Sequence, residues 1–553
     1  NKLVVGMLVL ACGFILVDKL YLQKVPDGAS TDVTIAVLPF ENRSSVKEDA
    51  YFVEGIHDDL LSRLSRVGVW RVISRTSVEQ IPELDLSIPE IAERLGATHV
   101  IEGSVQRSND AVRVIVQLID ARTDSHVWAP DPFDRELTAE SVFAIQSEIA
   151  ISVAKSLRTV LTVDDEDRVT RIGTHSLEAY DKYLQGRERL WERTRESVNA
   201  AVELFEAAVT LDPEFADGWT GLGDAYRFQN SFSGLPAEQA MPPSESALRR
   251  AVKLDPKSGE AWAGLAATLR SRGDSVGAEL AFEKSIALNP NYANGRMWYG
   301  LFLIDRGRLS EAIEQYEAVL AIDPLNPVVR TNMTAPYMDL GESQRGREVI
   351  QEQVAMFPQD KFAPMLLAGL EAFYFARFDK AVESAERTYS IHPNGLISAA
   401  LAGFYLDLGD FEETRKWLQR HRADGDIAWW SEELAAYLNL YTGDSESACS
   451  TAESSLARTI DSGSSRGDTL ILLRDCDVSA QELGPARKRY ENFYPDLFLE
   501  TPVVTVENAK VAADIAWLEQ QAGFSDRAND LARRAIKISH GRIRAGRLNL
   551  GVA

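Results

Sequence analysis

Cysteine is nearly absent, with three in 553 residues, so no disulfide framework holds this fold together. Cys12 falls in an apolar stretch, which leaves Cys449 and Cys476 as the possible pair. They bridge if the compartment is oxidising and are two separate buried thiols otherwise. Histidine is scarce too. The seven (57, 99, 126, 175, 392, 421 and 540) include no pair spaced i,i+3 or i,i+4, the simplest metal site a helix can offer. A Walker loop, a GxSxG elbow and a dinucleotide fingerprint are all missing. No catalytic residue, cofactor or metal is expected, and the chain reads as a non-enzyme. Positive charge is the third shortage. Lys and Arg number 59 against 83 Asp and Glu, a net charge of −24, whereas phosphate backbones call for a basic surface. Nucleic acid is therefore excluded as a partner of this region, and anionic lipid is disfavoured for its soluble part.

Long hydrophobic runs are also rare, with one exception at the start. "LVVGMLVLACGFILV" (3–17) extends through Leu20, Tyr21 and Leu22 to about 20 residues, enough to cross a bilayer as a helix. Val9-Leu10-Ala11-Cys12 loosely resembles a lipoprotein signal, but the apolar run continues past the cysteine to Val17. No small-residue cleavage site follows it. The expectation is an uncleaved transmembrane anchor over 1–24 and a linker over 25–32 carrying Pro26, Gly28 and Ser30. Lys2 on one side and Lys19 and Lys24 on the other do not orient it. The chain does not start with Met, and residues that would set the orientation are expected upstream.

Residues 33–162 mix strand and helix signals. "TIAVLPF" (34–40) is a compact apolar run that reads as a buried strand, and "WRVISR" (70–75) as a second. Phe52, Ile56, Leu60, Leu61 and Leu64 share one face of a helix over 51–67. "IPEIAERLG" is a short helix stopped by Gly96. "THVIEGSVQR" and "VRVIVQLIDA" alternate around Ser108-Asn109-Asp110 as a hairpin, a short strand surrounds His126-Val127-Trp128, and an amphipathic helix covers 141–161. The sum is an α/β module with a mixed sheet. His57-Asp58-Asp59 invites a metal or acid–base reading, but the solvated polar face of the helix accounts for it. Asp131, Asp134 and Glu136 in "APDPFDRE" are read as a turn rather than a cation site.

The blocks "IAVLPFENRS", "YFVEGIHDDLLSRLSRV", "IAERLGATHVIEGSVQR", "VIVQLIDARTDSHVWA" and "FAIQSEIA" follow in an order that resembles the TolB N-terminal or FlgO-like domain. More closely, residues 3 to 160 or so resemble membrane-anchored bacterial proteins in which this module follows one helix and precedes tetratricopeptide repeats. Some of these carry a CadC-like winged-helix domain or a nucleotide cyclase domain upstream. The resemblance implies an inner-membrane protein with its bulk in the periplasm, and it brings no catalytic residues.

After a linker over 163–174, residues 175–553 are governed by a repeat. Pro213, Pro256, Pro290, Pro324, Pro358 and Pro393 fall 43, 34, 34, 34 and 35 residues apart, five of them in the contexts "TLDP", "KLDP", "ALNP", "AIDP" and "SIHP". Proline ends the second helix of each pair because it supplies no amide donor and clashes with the preceding turn. Trp219, Leu222, Gly223 and Tyr226, then Trp262 and Leu265, then Gly300 and Gly307, mark first helices. Second helices carry Ala201 with Phe205, Ala278 with Phe282, Ala312 with Tyr316, and Ala381. Small residues let helices approach and aromatics fill the gaps, so Trp219 and Trp262 are expected to be buried. This is the tetratricopeptide pattern. The nine extra residues fall in "NSFSGLPAEQAMPP" (230–243), read as an inserted loop. Eight to ten pairs are expected, stacked as a curved solenoid, with 509–539 as the last full pair. Arg533, Arg534, Lys537, Arg542, Arg544 and Arg547 give a basic end that is either a docking patch or a solvated helix.

Such arrays present a groove lined by first helices, which holds a peptide or protein. The first reading is a periplasmic scaffold, anchored in the inner membrane through residues 3–22, that binds protein partners of the bacterial envelope, with a homo-oligomer possible. The alternative is the sensor half of a transmembrane signalling protein whose winged-helix or cyclase domain lies outside this chain.

Overall fold

The computed structural model describes residues 33–44, 49–81, 86–108, 110–424, 429–462, 466–479, 483–505 and 508–544. The anchor expected at 3–22 lies outside them. No described helix is long and apolar enough to cross a membrane.

The N-terminal part is a small mixed sheet carrying helices. β1 (Thr34–Val37) lies between β3 (Arg71–Val72) and β4 (His99–Ser108), parallel to both, and β2 (Glu41–Asn42) also runs parallel to β4. β4 and β5 (Ala111–Asp120) form the expected hairpin, in register from His99↔Asp120 to Ser108↔Ala111. β5 then pairs antiparallel with β6 (Ser125–Trp128) and β7 (Phe133–Glu136). Side chains alternate across the sheet. Ile35, Val37, Ile101 and Val105 join Phe52, Ile56, Leu60 and Leu64 of α1 (Ala50–Ser65) and Ile145, Ile149 and Val153 of α4 (Ala139–Ser156). Val100 faces the other way, with Ala92 of α3 (Ile88–Leu95) and Ala121. Gly96 stops α3 as expected, in the left-handed conformation at φ 65°.

Two local expectations fail. The strand over 70–75 shortens to two residues, because Ser74 turns its N–H to Ile322 O (2.8 Å) and starts the one-turn helix α2 (Arg75–Val78). "APDPFDRE" supplies β7 instead of a turn. Asp134 makes a two-pronged ion pair with Arg113 across the strands (2.6 and 2.8 Å), so its carboxylate is satisfied without a cation.

Beyond α5 (Val163–Thr170) the described chain forms ten helical hairpins. They are α6 (Leu177–Glu192) with α7 (Arg195–Leu211), α8 (Ala216–Phe228) with α9 (Ala237–Leu254), α10 (Gly259–Ser271) with α11 (Ser275–Leu288), α12 (Ala293–Asp305) with α13 (Leu309–Ile322), and α14 (Pro327–Asp339) with α15 (Ser343–Met356). Then follow α16 (Ala363–Phe373) with α17 (Phe378–Ile391), α18 (Gly395–Asp407) with α19 (Phe411–Ala423), α20 (Trp429–Tyr441) with α21 (Ser445–Ser462), α22 (Arg466–Ser479) with α23 (Leu483–Phe493), and α24 (Ala509–Gln521) with α25 (Ser525–Arg544). Each of the six marker prolines sits two residues past the end of α7, α9, α11, α13, α15 or α17. Turns within hairpins close on left-handed glycines, as at Gly273 (φ 82°) and Gly341 (φ 79°).

The insertion over 230–243 is helical where a loop was expected. Gln229–Ser233 continue α8 as a π-helical turn, Gly234 reverses the chain at φ 72°, and the remainder lengthens α9 at its start. Pro242 and Pro243 lie inside this helix, past its first turn, where each removes a backbone donor.

The chain divides into two compact units. One holds the α/β module, the first three hairpins and the chain to Tyr299, with Ala318–Asn326; the other holds Gly300–Glu317 and everything from Pro327. The first unit thus runs straight through the linker placed at 163–174. Tyr180, Leu184 and Phe215 from the repeats are fully buried in the same core as Ile56 and Phe143 from the sheet module. Gly55 of α1 makes room for Leu184, since a methyl there would fall 2.6 Å from its Cδ atoms. The second unit is held by successive apolar clusters, such as Ala381, Leu401 and Phe404, and by a disulfide joining Cys449 to Cys476 with Cα atoms 5.8 Å apart.

Candidate functional site

In the first unit, the polar face of α1 turns toward the first helices of the repeats instead of toward water. This corrects the reading of His57-Asp58-Asp59 as a solvated face. His57 is buried, with Nε2 2.9 Å from the Val37 carbonyl and Nδ1 3.3 Å from Asp58. Arg187 of α6 forks between Asp58 and Asp59, at 2.7 Å to each, and Arg75 reaches Asp58 from the other side. The Tyr180 hydroxyl donates to Asp59 (2.6 Å). Burial alone pushes the Asp58 carboxyl up, but Arg187, His57 and Arg75 together hold it well below the usual carboxylate range. One turn on, Arg63 is buried and donates to Gln146 Oε1 and to the carbonyls of Val169 and Arg171. Burial, helped by nearby Arg66, lowers its pKa to about 10.

Further hydrogen bonds tie the module to later repeats. Asn291 donates to the carbonyls of Ser65 and Trp70 (3.0 and 2.9 Å), and Ser77 donates to Asp323 (2.5 Å). Asp164 of α5 accepts from Lys257 (2.6 Å), and Arg171 pairs with Asp255 (2.8 Å). Residues of α6, α8, α10 and α12 meet α1 and α2 around a cavity of about 500 Å³. At its inner end the charges are matched, as described. Toward the π-turn the lining becomes aromatic: Trp191, Phe228, Phe232, Tyr292 and Trp298. Arg227 packs there against Trp298 (4.2 Å to the centroid) and Phe228 (4.5 Å) while bonding Asp224 (3.0 Å). Burial raises the Asp224 carboxyl despite that partner.

None of the repeat-signature residues lines this cavity. A methyl at Gly223 would overlap Leu248, and one at Gly300 would overlap Tyr316, so both glycines set the approach of paired helices. Trp219 and Trp262 are half-buried rather than buried. Each indole N–H donates 3.0 Å to the carbonyl of the proline six residues earlier, Pro213 and Pro256, and Arg296 makes the same bond to Pro290 (2.8 Å). The pattern gives the carbonyls of these three prolines a donor. Tyr226 donates to Glu206 (2.5 Å), as Tyr405 does to Glu386 (2.7 Å). Pro324 and Pro358 lie in helix-terminal turns and Pro393 in the irregular connection after α17. Of the basic C-terminal residues, Arg533 donates to the Asn529 carbonyl and Arg534 pairs with Asp530 within α25 (2.8 Å); the side chains of the others lie outside the described residues. Among the described residues no cluster of His, Cys, Asp and Glu could hold a metal ion.

With this geometry in hand, residues 244–293 and 270–327 match the family model of the tetratricopeptide repeat. The C-terminal array carries tetratricopeptide repeats. Residues 31–150 match a model described as the second domain of HilA/YgeH-like transcriptional regulators. A putative adenylate cyclase of Rhizobium meliloti is 34% identical over 183 residues, which is 33% of this chain and 31% of that protein. The transcriptional regulator HilA of Salmonella typhimurium is 22% identical over 301 residues, 54% of this chain and 52% of its own. The chain thus spans about a third to a half of the length of these relatives. Among solved structures, a tetratricopeptide repeat protein of Parabacteroides merdae aligns at 14% identity and a TM-score of 0.33, covering 47% of this chain and 98% of its own.

Proposed function

We propose that this chain is the sensory half of a membrane-tethered bacterial regulator, anchored through residues 3–22 with its α/β module and repeats in the periplasm. Its output would be a winged-helix or nucleotide cyclase domain outside residues 1–553. The observation that carries this reading is the match of 31–150 to a module of transcriptional regulators, in a chain where that module shares its core with the repeats. An input module fused to a rigid scaffold suits a device that passes a binding event on as a change of position. The relatives support it, since one is called a cyclase and the other a transcriptional regulator, and both extend well beyond the matched region. The disulfide supports an oxidising compartment. The TolB- or FlgO-like resemblance supports the same placement.

A second reading, a scaffold that binds protein partners within an envelope complex, draws on the second unit. Phe362 and Phe373 there are 77% and 68% exposed, and uncovered aromatics of this kind suit a protein partner. Purification from native membranes in mild detergent, with intact masses, separates the two. A polypeptide heavier than about 61 kDa by a whole domain, with DNA-binding or cyclase activity, is the expected result. A 61 kDa chain in fixed ratio with other envelope proteins would replace the regulator by the scaffold.

A further inference from the structure

The two ends of the first unit's cavity differ in how their charges are balanced. At the inner end Asp58, Asp59 and Asp217 each face an arginine. At the other end Asp224 is bonded to Arg227, and Arg193 lies near enough to Arg227 to feel its charge. Arg193 has no ion pair among the described residues. Arg193 is itself exposed, and partial desolvation together with the neighbouring charge of Arg227 presses its pKa down. It closes the turn between α6 and α7 in the left-handed conformation, φ 53°, that glycine supplies in other hairpins. Its guanidinium lies 5.6 Å from the ring centre of Trp191.

Two aromatic rings lie in the same lining, and one of them, Trp191, also carries the Arg75 guanidinium 4.7 Å from its centre. Trp191 is 43% exposed and Phe232 37%, both lining the cavity. Phe232 stands on the π-helical turn produced by the insertion, a rare geometry that recurs at functional sites. The Ser74 hydroxyl, also in the lining, is buried without a hydrogen-bond partner. A volume of about 500 Å³ suits a small organic molecule.

We infer that this cavity binds a small aromatic monocarboxylate, its ring against Trp191 and Phe232 and its charge on Arg193. A cation is not what the site asks for, because each carboxylate there already has a cationic or hydrogen-bonding partner. One guanidinium without an ion pair at this end calls for one negative charge rather than several. The inference goes beyond the regulator reading and stands on the cavity alone, so its failure would leave that reading untouched.

The test titrates the whole chain, in mild detergent, with 1-naphthoate, the neutral 1-naphthalenemethanol and the cationic 1-naphthylmethylammonium, followed by calorimetry and tryptophan quenching. Saturable binding of one naphthoate is expected, about tenfold or more tighter than either comparator, the factor a charge-assisted hydrogen bond supplies. Arg193→Gln should remove that advantage while leaving the neutral ligand unaffected, and Trp191→Ala should weaken naphthoate and alcohol together. Both residues are exposed, so melting curves should match the parent, and Arg249→Gln, on an exposed pair with Glu245, should change nothing. Three results would each overturn the inference: no saturation at millimolar naphthoate, equal or tighter binding of the cation, or full affinity in Arg193→Gln.

Discussion

Asp58 shows how much a single carboxylate can hold together. It is buried between Arg187, Arg75 and His57, and Arg187 is one of the residues that bridge the sheet module to the first repeat. Removing one partner of a buried pair leaves the other charged and dry, so Arg187→Ala should lower stability by about 3 kcal/mol in urea unfolding. Adding Asp58→Asn and Asp59→Asn should recover part of that loss. The pH dependence follows from the same contacts. The folded carboxyl sits well below its unfolded value of about 3.9, so its stabilisation is complete above that pH. It drains away as pH falls through the folded pKa, because the unfolded chain then binds the extra proton. Urea midpoints measured between pH 7 and pH 3 should fall below about pH 4, and more gently in Asp58→Asn. The sequence displayed these acids but not their surroundings. A helix face that meets another element's arginines has the same periodicity as one that meets water.

At the scale of elements, close helix approach decides the repeats. Gly223→Ala should cost about 1–3 kcal/mol, since the added methyl meets Leu248 inside a packed pair. Combining it with Leu248→Ala should cost less than the sum of the two, and a thermal-unfolding double-mutant cycle measures the difference. The hairpins were legible because proline and glycine punctuate them at a fixed period that needs no tertiary knowledge. β2 and β7 were not, because Glu41–Asn42 sits in a polar stretch that reads as the end of β1 and Phe133–Glu136 in one whose Pro and Asp read as a turn. The insertion at 230–243 was legible as extra length, but its π-turn was not, since no residue type marks that geometry. The proline–tryptophan bond was half legible. The spacing was visible, whereas an indole N–H serving an orphaned carbonyl emerges only from the fold.

For the whole molecule, the linker expected at 163–174 is a stretch of chain within one core. A fragment of residues 33–174 lacks Tyr180, Leu184 and Phe215 and would expose the apolar surface they cover, about 1.5–3 kcal/mol for each. It should therefore be largely unfolded by amide exchange, whereas a fragment of residues 33–326, which contains every described residue of the first unit, should melt cooperatively. Contacts between segments more than a hundred residues apart leave no trace in local pattern, which is why the boundary looked like a boundary.

That shared core also bears on inheritance. Genes trade domains cleanly when a cut falls between independent cores, and here a cut between sheet and repeats would strand Ile56, Phe143 and Tyr180 on opposite sides of the break. The sheet module and the hairpins behind it would have to move between genes as one cassette. Chains that carry the module without repeats must close that face with other residues, and the position of Gly55, freed from admitting Leu184, is where their sequences should first diverge.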